Sequence, residues 1–438
     1  MHLSEPIKLM RSKKIILTNF SRAARSESLC IRPDTEKELF NYLSTQKPKS
    51  LLTRGTGLSY SDCCLNRDGI VINTERFNHY ISFDEASGIV ICQAGVSFSD
   101  LMNLHPDFIP PVLPGTLHAT LAGGVANDVH GKNNHLANSF GHHIEWLELF
   151  INDQVIRCNR KEHSELFQAS IAGLGLTGVI TRLALRLKKA SHFVKVENES
   201  FSSLSLLLER MSNQGLTYDY QVAWLDLLHP TPRALLSLAN HSPSFSVKEK
   251  TIHSVPQLPF SLIKRWSMKC FNYYYFHHKK PKESLSLEEF NNPLDKIKQW
   301  NHLYGKKGLL QFQAVFNQEQ AFSTIEQLIK IIEQHKANPT LAVLKLFTQT
   351  GEGLLSFCTP GFTLAIDFMN NKQAKEAIKK MNQLITANKG KVYLAKDLLL
   401  TSEQYEQMYE QHTQFSQLLT EYQSPMRSDL AQRLGIVR

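Results

Sequence analysis

The sequence contains no apolar run of the roughly 18 residues that a membrane-spanning helix requires, which excludes an ordinary transmembrane segment. Its seven cysteines (Cys30, Cys63, Cys64, Cys92, Cys158, Cys270 and Cys358) are scattered. They are odd in number and none forms a C-x-x-C pair. This argues against a disulfide framework and fits a reducing compartment. The opening residues, MHLSEPIKLMRSKKIILTNFSRAA, carry charge throughout and lack the continuous apolar core of a secretory leader. No internal repeat is detectable. These absences leave a cytoplasmic globular protein as the expectation.

What is present is a chain of 438 residues, long enough for two or three domains with substantial cores. The acids are outnumbered, giving a formal charge of +9. That balance suits nucleic acid, a membrane surface or an anionic substrate, and charge alone does not choose among them. Up to about residue 190, short β-type runs such as GIVIN, GIVICQAGV, WLELFI and GVITRLALRL alternate with helical patches. Those patches are TEKELFNYLSTQ, SFSDLMNL and SELFQASIAG, the last with Ser164 as its expected N-cap. Beyond residue 190, longer helical periodicity mixes with the strands LLQFQAVF, LAVLKLF and FTLAIDF. The class is α+β or α/β.

Three glycine-rich stretches invite a nucleotide reading. In GGVANDVHGKNNH, Gly131-Lys132 has Ala126 where a Walker loop needs its first Gly, and Asn133 where it needs Ser or Thr. The same stretch fails as a zinc site, because His130 and His135 have no third ligand at metal spacing and the adjacent His142 and His143 diverge on regular backbone. GLGLTG (Gly173 to Gly178) is a literal G-x-G-x-x-G, yet it follows a helix-like segment and opens a strand, the reverse of the Rossmann order. In LLTRGTGLSYSD an apolar strand runs into Arg54-Gly55-Thr56-Gly57, whose successive amides can form an anion-binding nest. Taken together, the three turns suit a pyrophosphate-bearing cofactor lying along backbone. Taken singly, each is equally an ordinary tight turn.

The order TRGTGLSYSD, AGVSFSDLM, VLPGTLHATLAGGVANDVHGKNNH, GLGLTGVI and VYLAKD resembles the vanillyl-alcohol oxidase type of flavoprotein, with its PCMH-type FAD-binding domain. The resemblance runs from Thr18 to Leu434, and the PGT…GG…DVHGKN portion is its most specific part. It implies an α+β fold with a PCMH-type FAD-binding domain of two α/β subdomains over residues 1–190. A substrate or cap domain, an antiparallel sheet capped by helices, would span 191–390. Residues 391–438 would return to the FAD domain.

The resemblance also assigns residues. Thr53, Arg54, Gly55, Thr56, Gly57, Leu58, Ser59, Tyr60 and Asp62 correspond to the pyrophosphate loop. Gly115, Thr120, Leu121, Ala122, Gly123, Asn127 and His130 correspond to the stretch beside the cofactor. Gly178 and Val179 would pack near the adenine, and Tyr393 near the flavin. Lys396, Tyr60 and His130 are the catalytic candidates; Lys345, Gln311, Gln313, Lys132, Trp224, Thr363 and Phe347 are candidates for holding substrate. Read without the resemblance, Gln311 and Gln313 fit alternate outward positions on an exposed strand.

The implied reaction is FAD-dependent oxidation of a sugar's secondary alcohol to a ketone, the sugar being carried on a polyprenyl phosphate. The alternatives are an aldonolactone oxidase and a non-catalytic flavin- or lipid-binding protein. A partner short-chain reductase would complete an epimerisation. Many relatives bond FAD covalently through a His directly after the glycine turn; Leu58 stands there, so dissociable FAD is expected. Three pocket positions depart from the family: Ala365 for Cys, Thr363 for Asn and Asn291 for an aromatic residue. Cofactor positions are thus better kept than substrate positions.

Residues 241–290 read as loop or lid. From Phe260 to Lys282 they interleave Lys264, Arg265, Lys269, Lys279, Lys280 and Lys282 with Trp266, Phe271, Tyr273, Tyr274, Tyr275 and Phe276, and contain no acid. That composition fits a peripheral contact at the inner face of a membrane, or simply a solvated lid. Nucleic-acid binding is not expected, because no recognised module accompanies the patch. No metal is expected.

Overall fold

The structure, a computed structural model, describes residues 10–243, 245, 253–256, 261 and 263–437. Three sheets carry the chain. A four-stranded sheet runs Ser12–Thr18, Arg25–Ile31, Ile70–Asn73, Leu51–Arg54 in spatial order, with only the first pair antiparallel. A five-stranded antiparallel sheet follows in the order Tyr80–Asp84, Ile89–Gln93, Val179–Arg186, Ile144–Ile151, Gln154–Cys158. The largest has eight strands: Lys282–Ser286, Phe193–Phe201, Arg233–Ser242, Tyr220–Asp226, Pro339–Phe347, Gly361–Met369, Leu309–Phe316, Lys391–Val392. Every pairing within it is antiparallel. The fold is α+β.

Strand periodicity decides which face of the large sheet does what. Leu310, Phe312 and Ala314 point one way and pack with Leu344, Leu364 and Ile366 in a common core. Two helices cover that face. Ala321–Gln334 buries Ala321, Ile325, Leu328 and Ile332, and Lys372–Ala387 buries Ala374, Ile378, Met381 and Ile385. Both sets follow the three-and-four spacing of one helix face, and each buried Ile or Leu contributes roughly 1.5–3 kcal/mol. The alternate residues, including Gln311, Gln313, Lys345 and Asp367, turn to the opposite face and into a cavity.

The chain beyond Lys391–Val392 returns to the first sheet. Leu51 N donates to Pro425 O (3.0 Å) and Arg427 N to Leu51 O (2.7 Å). Arg433, in the terminal helix Asp429–Arg433, reaches both carboxylate oxygens of Asp62 (3.0 and 2.9 Å) and also Asp397 (3.1 Å).

Two local expectations are corrected. Ser164 is the first residue of its helix and not the cap; His163 occupies the cap at φ 48° with no side-chain hydrogen bond. The described part of the 241–290 stretch is also not all loop. The strand Arg233–Ser242 runs into it, and a helix spans Arg265–His278. Lys282–Ser286 then pairs with Phe193–Phe201, and a short helix covers Leu287–Asn291. Residues 244, 246–252, 257–260 and 262 of that stretch lie outside the described residues, Phe260 among them.

Candidate active site

A cavity of about 1140 Å³ runs from the glycine turns of the first sheet to the polar face of the eight-stranded sheet. At one end, the strand Leu51–Arg54 delivers the chain into a turn where Gly57 has φ 70°. The Arg54 guanidinium is folded beneath Gly57 and donates to Cys64 O and Thr18 O, both at 2.8 Å. Arg54 therefore braces the turn from below. Among the described residues, the amides of Gly55 through Tyr60 have no hydrogen-bond acceptor. A side chain at Gly55 would strike Thr120, whose own hydroxyl accepts from Gly123 N at 3.2 Å. The first two glycine turns thus meet in contact, with Gly115, Ala122 and Asn127 alongside them in the cavity wall. Gly115 faces open space.

At the other end three lysines gather. Lys132, Lys345 and Lys396 all line the cavity, and among the described residues none has a carboxylate within ion-pair distance. Burial lowers each. Lys132 falls to about 7 with help from Lys345 and Lys279, and Lys345 falls to about 8. Lys396 is pushed down by burial, against the pull of Asp367. Its ammonium lies over the Tyr60 ring. Lys132 donates to Phe290 O at 2.5 Å.

His130 is buried and held far below its usual pKa by desolvation, then by the charges of Lys345 and Lys396. The ring is therefore neutral. Its Nε2 lies 2.9 Å from the Gln313 amide nitrogen, which makes Nε2 the acceptor and puts the proton on Nδ1. That buried Nδ1 has no partner among the described residues. Tyr393 packs at 5.1 Å from His130 and donates its hydroxyl to Asn127 O (2.8 Å). Trp224 stands edge-on to Tyr275 at 5.0 Å in the same wall. Gln311 and Gln313 face the cavity and not solvent, so the exposed-strand reading does not hold for them.

Six expected site residues lie elsewhere. The Asp62 carboxylate is spent on Arg433. Leu121 is in the core, and Val179 is a buried position of the five-stranded sheet. Gly178 is needed because a side chain there would strike Ile151, not a ligand. Thr363 shares the cavity face but sits beneath Gln313, which donates to its hydroxyl at 3.3 Å. Phe347 stands edge-on behind His130 at 4.9 Å and holds the ring in place. Of the GLGLTG glycines only Gly175, at φ 72°, lines the cavity.

The FAD-binding domain family matches residues 28–159. Over 414 residues the chain is 28% identical to the decaprenylphosphoryl-beta-D-ribose oxidase of Mycolicibacterium smegmatis, covering 89% of this chain and 90% of that protein. A putative D-arabinono-1,4-lactone oxidase of Neurospora crassa is 27% identical over 164 residues, which is 36% of this chain and 29% of that protein. An uncharacterized oxidoreductase of Rhodococcoides fascians is 32% identical over 162 residues, 36% of each chain. Residues 28–159 carry an FAD-binding domain, and the chain is an FAD-dependent oxidoreductase.

The oxidoreductase's own geometry fits that cofactor. Unpaired amides from Gly55 to Tyr60 suit a pyrophosphate, and the orphaned His130 Nδ1 is a donor for a flavin or substrate oxygen. The cavity volume exceeds what a drug-sized ligand needs, leaving room for a dinucleotide and a substrate together.

One chemically important residue escaped the sequence reading. Asp367 is buried in Gly361–Met369, lines the cavity and accepts a short hydrogen bond from the Gln311 amide. Burial raises its pKa, against the opposing effects of Gln311 and Lys396. The available signal was an acid inside the apolar run FTLAIDF. Asn291, noted only as a departure, donates to the carbonyls of Leu113 (3.3 Å) and Pro114 (3.2 Å). With Asp295, which accepts from Leu117 N at 2.9 Å, it ties the wall at 287–296 to the turn at 113–117.

Proposed function

We propose that this oxidoreductase converts a secondary alcohol of a phosphate-linked sugar, of the polyprenylphosphoryl-ribose kind, to the ketone. The observation that carries the proposal is the pair of half-buried cavity lysines, Lys132 and Lys345, which among the described residues have no carboxylate within ion-pair distance. Desolvating unpaired cations is costly, and a substrate phosphate offsets that cost. A neutral sugar lactone leaves the lysines uncompensated, so the partial match to a lactone oxidase carries less weight. The long match to the decaprenylphosphoryl-ribose oxidase supports the same substrate class.

Bound FAD supplies the acceptor for the carbinol hydride. The remaining tasks fall to this chain. Lys345 and Lys132 hold the phosphate end, and Gln311 and Gln313 orient the sugar by hydrogen bonds. Asp367 takes the hydroxyl proton, its raised pKa suiting a base that works near neutrality. Lys396 stabilises the developing alkoxide as that proton leaves. Ala365, a small side chain on the cavity face, leaves room beside Gln313 and Asp367.

Stopped-flow bleaching of the flavin provides the test. A prenylphosphoryl ribose is expected to reduce it, and gulono- or arabinonolactone is not. Reduction by the lactone alone would overturn the phosphate reading. Reduction by neither would remove both.

A further inference from the structure

The helix Arg265–His278 has two sides with different tasks. Its inner side, Met268, Asn272 and Tyr275 at helical spacing, faces the protein. Asn272 donates to Asp226 at 2.7 Å, and Tyr275 stacks edge-on against Trp224 and lines the cavity. Lys279, just past the helix, lines the same cavity.

The outer side carries aromatic residues that stand exposed among the described residues. Trp266 is 71% exposed, Tyr274 61%, Tyr273 60% and Phe271 52%. Few of the large hydrophobic side chains among the described residues are so exposed, and here four occur within nine positions of one helix. Such clustering marks an interaction surface rather than scattered surface residues. Lys264, Arg265 and Lys269 are exposed around them, and the helix has no acidic residue.

We propose that this helix docks on an anionic lipid bilayer, with Trp266, Phe271, Tyr273 and Tyr274 entering the interface and Lys264, Arg265 and Lys269 meeting the headgroups. Charge complementarity selects the partner: basic residues interleaved with Trp and Tyr suit an anionic interface better than the dry face of a protein dimer. No helix among the described residues is long and apolar enough to cross a membrane, so the contact is peripheral. Because the other side of this helix is cavity wall, docking brings the cavity against the bilayer that holds the substrate's lipid tail. Only that last step rests on the proposed function.

The test is flotation of the full-length holoprotein with vesicles of phosphatidylcholine containing phosphatidylglycerol, against phosphatidylcholine alone. Binding to the anionic vesicles is expected to weaken with salt. The combined variant Trp266→Ser, Phe271→Ser, Tyr274→Ser should bind at least roughly tenfold more weakly, and so should Lys264→Glu with Lys269→Glu. Both should keep their flavin and reduce it normally with a soluble short-chain substrate. Cys270 is exposed on the outer side, and a polarity-sensitive dye there should shift to the blue on binding.

Absence of flotation, or equal flotation by both variants, overturns the proposal. So does concentration-dependent self-association abolished by the same substitutions without vesicle binding. Flavin reduction by the soluble substrate is read without vesicles, so its failure strikes the proposed reaction and leaves the docking result standing.

Discussion

The Lys396 ammonium lies 3.5 Å from the centre of the Tyr60 ring. The two arrive from distant parts of the chain, Tyr60 from the glycine turn after the strand Leu51–Arg54 and Lys396 from the loop after the last strand. They are joined by backbone as well, since Ser61 N donates to Ala395 O at 3.2 Å. A cation held this way is fixed in place yet keeps its N–H groups for a developing oxyanion. Lys396→Ala is expected to retain FAD and lose roughly 10²–10³-fold in the rate of flavin reduction. Tyr60→Leu should cost less, roughly 3–30-fold, because it removes the ring under the cation and not the cation. Unchanged reduction in Lys396→Ala would remove that residue from the mechanism.

The base role proposed for Asp367 predicts a pH signature. A base must be deprotonated to accept the hydroxyl proton, and burial raises this carboxyl above the ordinary range. Flavin reduction should therefore rise with pH through that raised pKa, within the acidic-to-neutral range. Asp367→Asn should flatten the rise and slow the step by roughly 10²–10⁴-fold. The profile of single-turnover reduction rates decides the point. A variant that keeps the wild-type pH dependence assigns the base elsewhere.

Lys345 and Lys132 give an opposite slope for binding. Each loses its charge as pH rises through its lowered pKa, about 8 for Lys345 and about 7 for Lys132. Affinity for a phosphate-bearing substrate should fall across that interval, while affinity for a neutral sugar analogue should not. Substrate phosphate raises both lysine pKa values in the complex, so the fall should sit at higher pH when measured on the complex. Lys345→Met should weaken phosphate-substrate binding by roughly 10–100-fold. Equilibrium titration of the flavin spectrum against pH measures this.

The fold was legible where local chemistry repeats a simple rule. Alternation gave the strands, and Thr35 and Ser97 capped the helices that TEKELFNYLSTQ and SFSDLMNL promised. Glycine spacing plus the order of motifs gave the cofactor end. Legibility failed where a residue's role depends on a neighbour distant in sequence. Asp62 sits beside the glycine turn in sequence, but its carboxylate belongs to Arg433, 371 residues away. Phe347 and Thr363 lie beside Lys345 or on its cavity face, yet they serve His130 and Gln313 from behind. Asp367 was hidden because an acid in an apolar strand announces itself only when the opposite strand supplies Gln311.

The Arg433 pair with Asp62 and Asp397 is expected to stabilise the fold. Asp397 directly follows Lys396, so the terminal helix anchors the loop that carries the catalytic candidate. Removing the arginine leaves two nearly buried carboxylates unpaired. Arg433→Gln should cost about 3 kcal/mol, the lower end for a buried pair because the arginine is still 25% exposed. Thermal unfolding of the holoprotein measures it. Asp62→Asn combined with Arg433→Gln should recover part of the loss, since it removes one orphaned charge.

FAD is expected to dissociate. Leu58 stands where a linking His would be, lines the cavity and offers no nucleophile. The thiol of Cys63 also reaches the cavity, but burial raises its pKa, and it lies 3.0 Å from the Ser59 hydroxyl. A protonated thiol is a poor nucleophile. His130 is neutral and engaged through Nε2 with Gln313, with aromatic rings packed around it. Acid precipitation should therefore leave the yellow colour in the supernatant, and the apoprotein should regain flavin absorbance when FAD is added back. Colour that stays with the precipitate would sink the prediction, and a Cys63→Ser variant would then show whether that thiol had formed the bond.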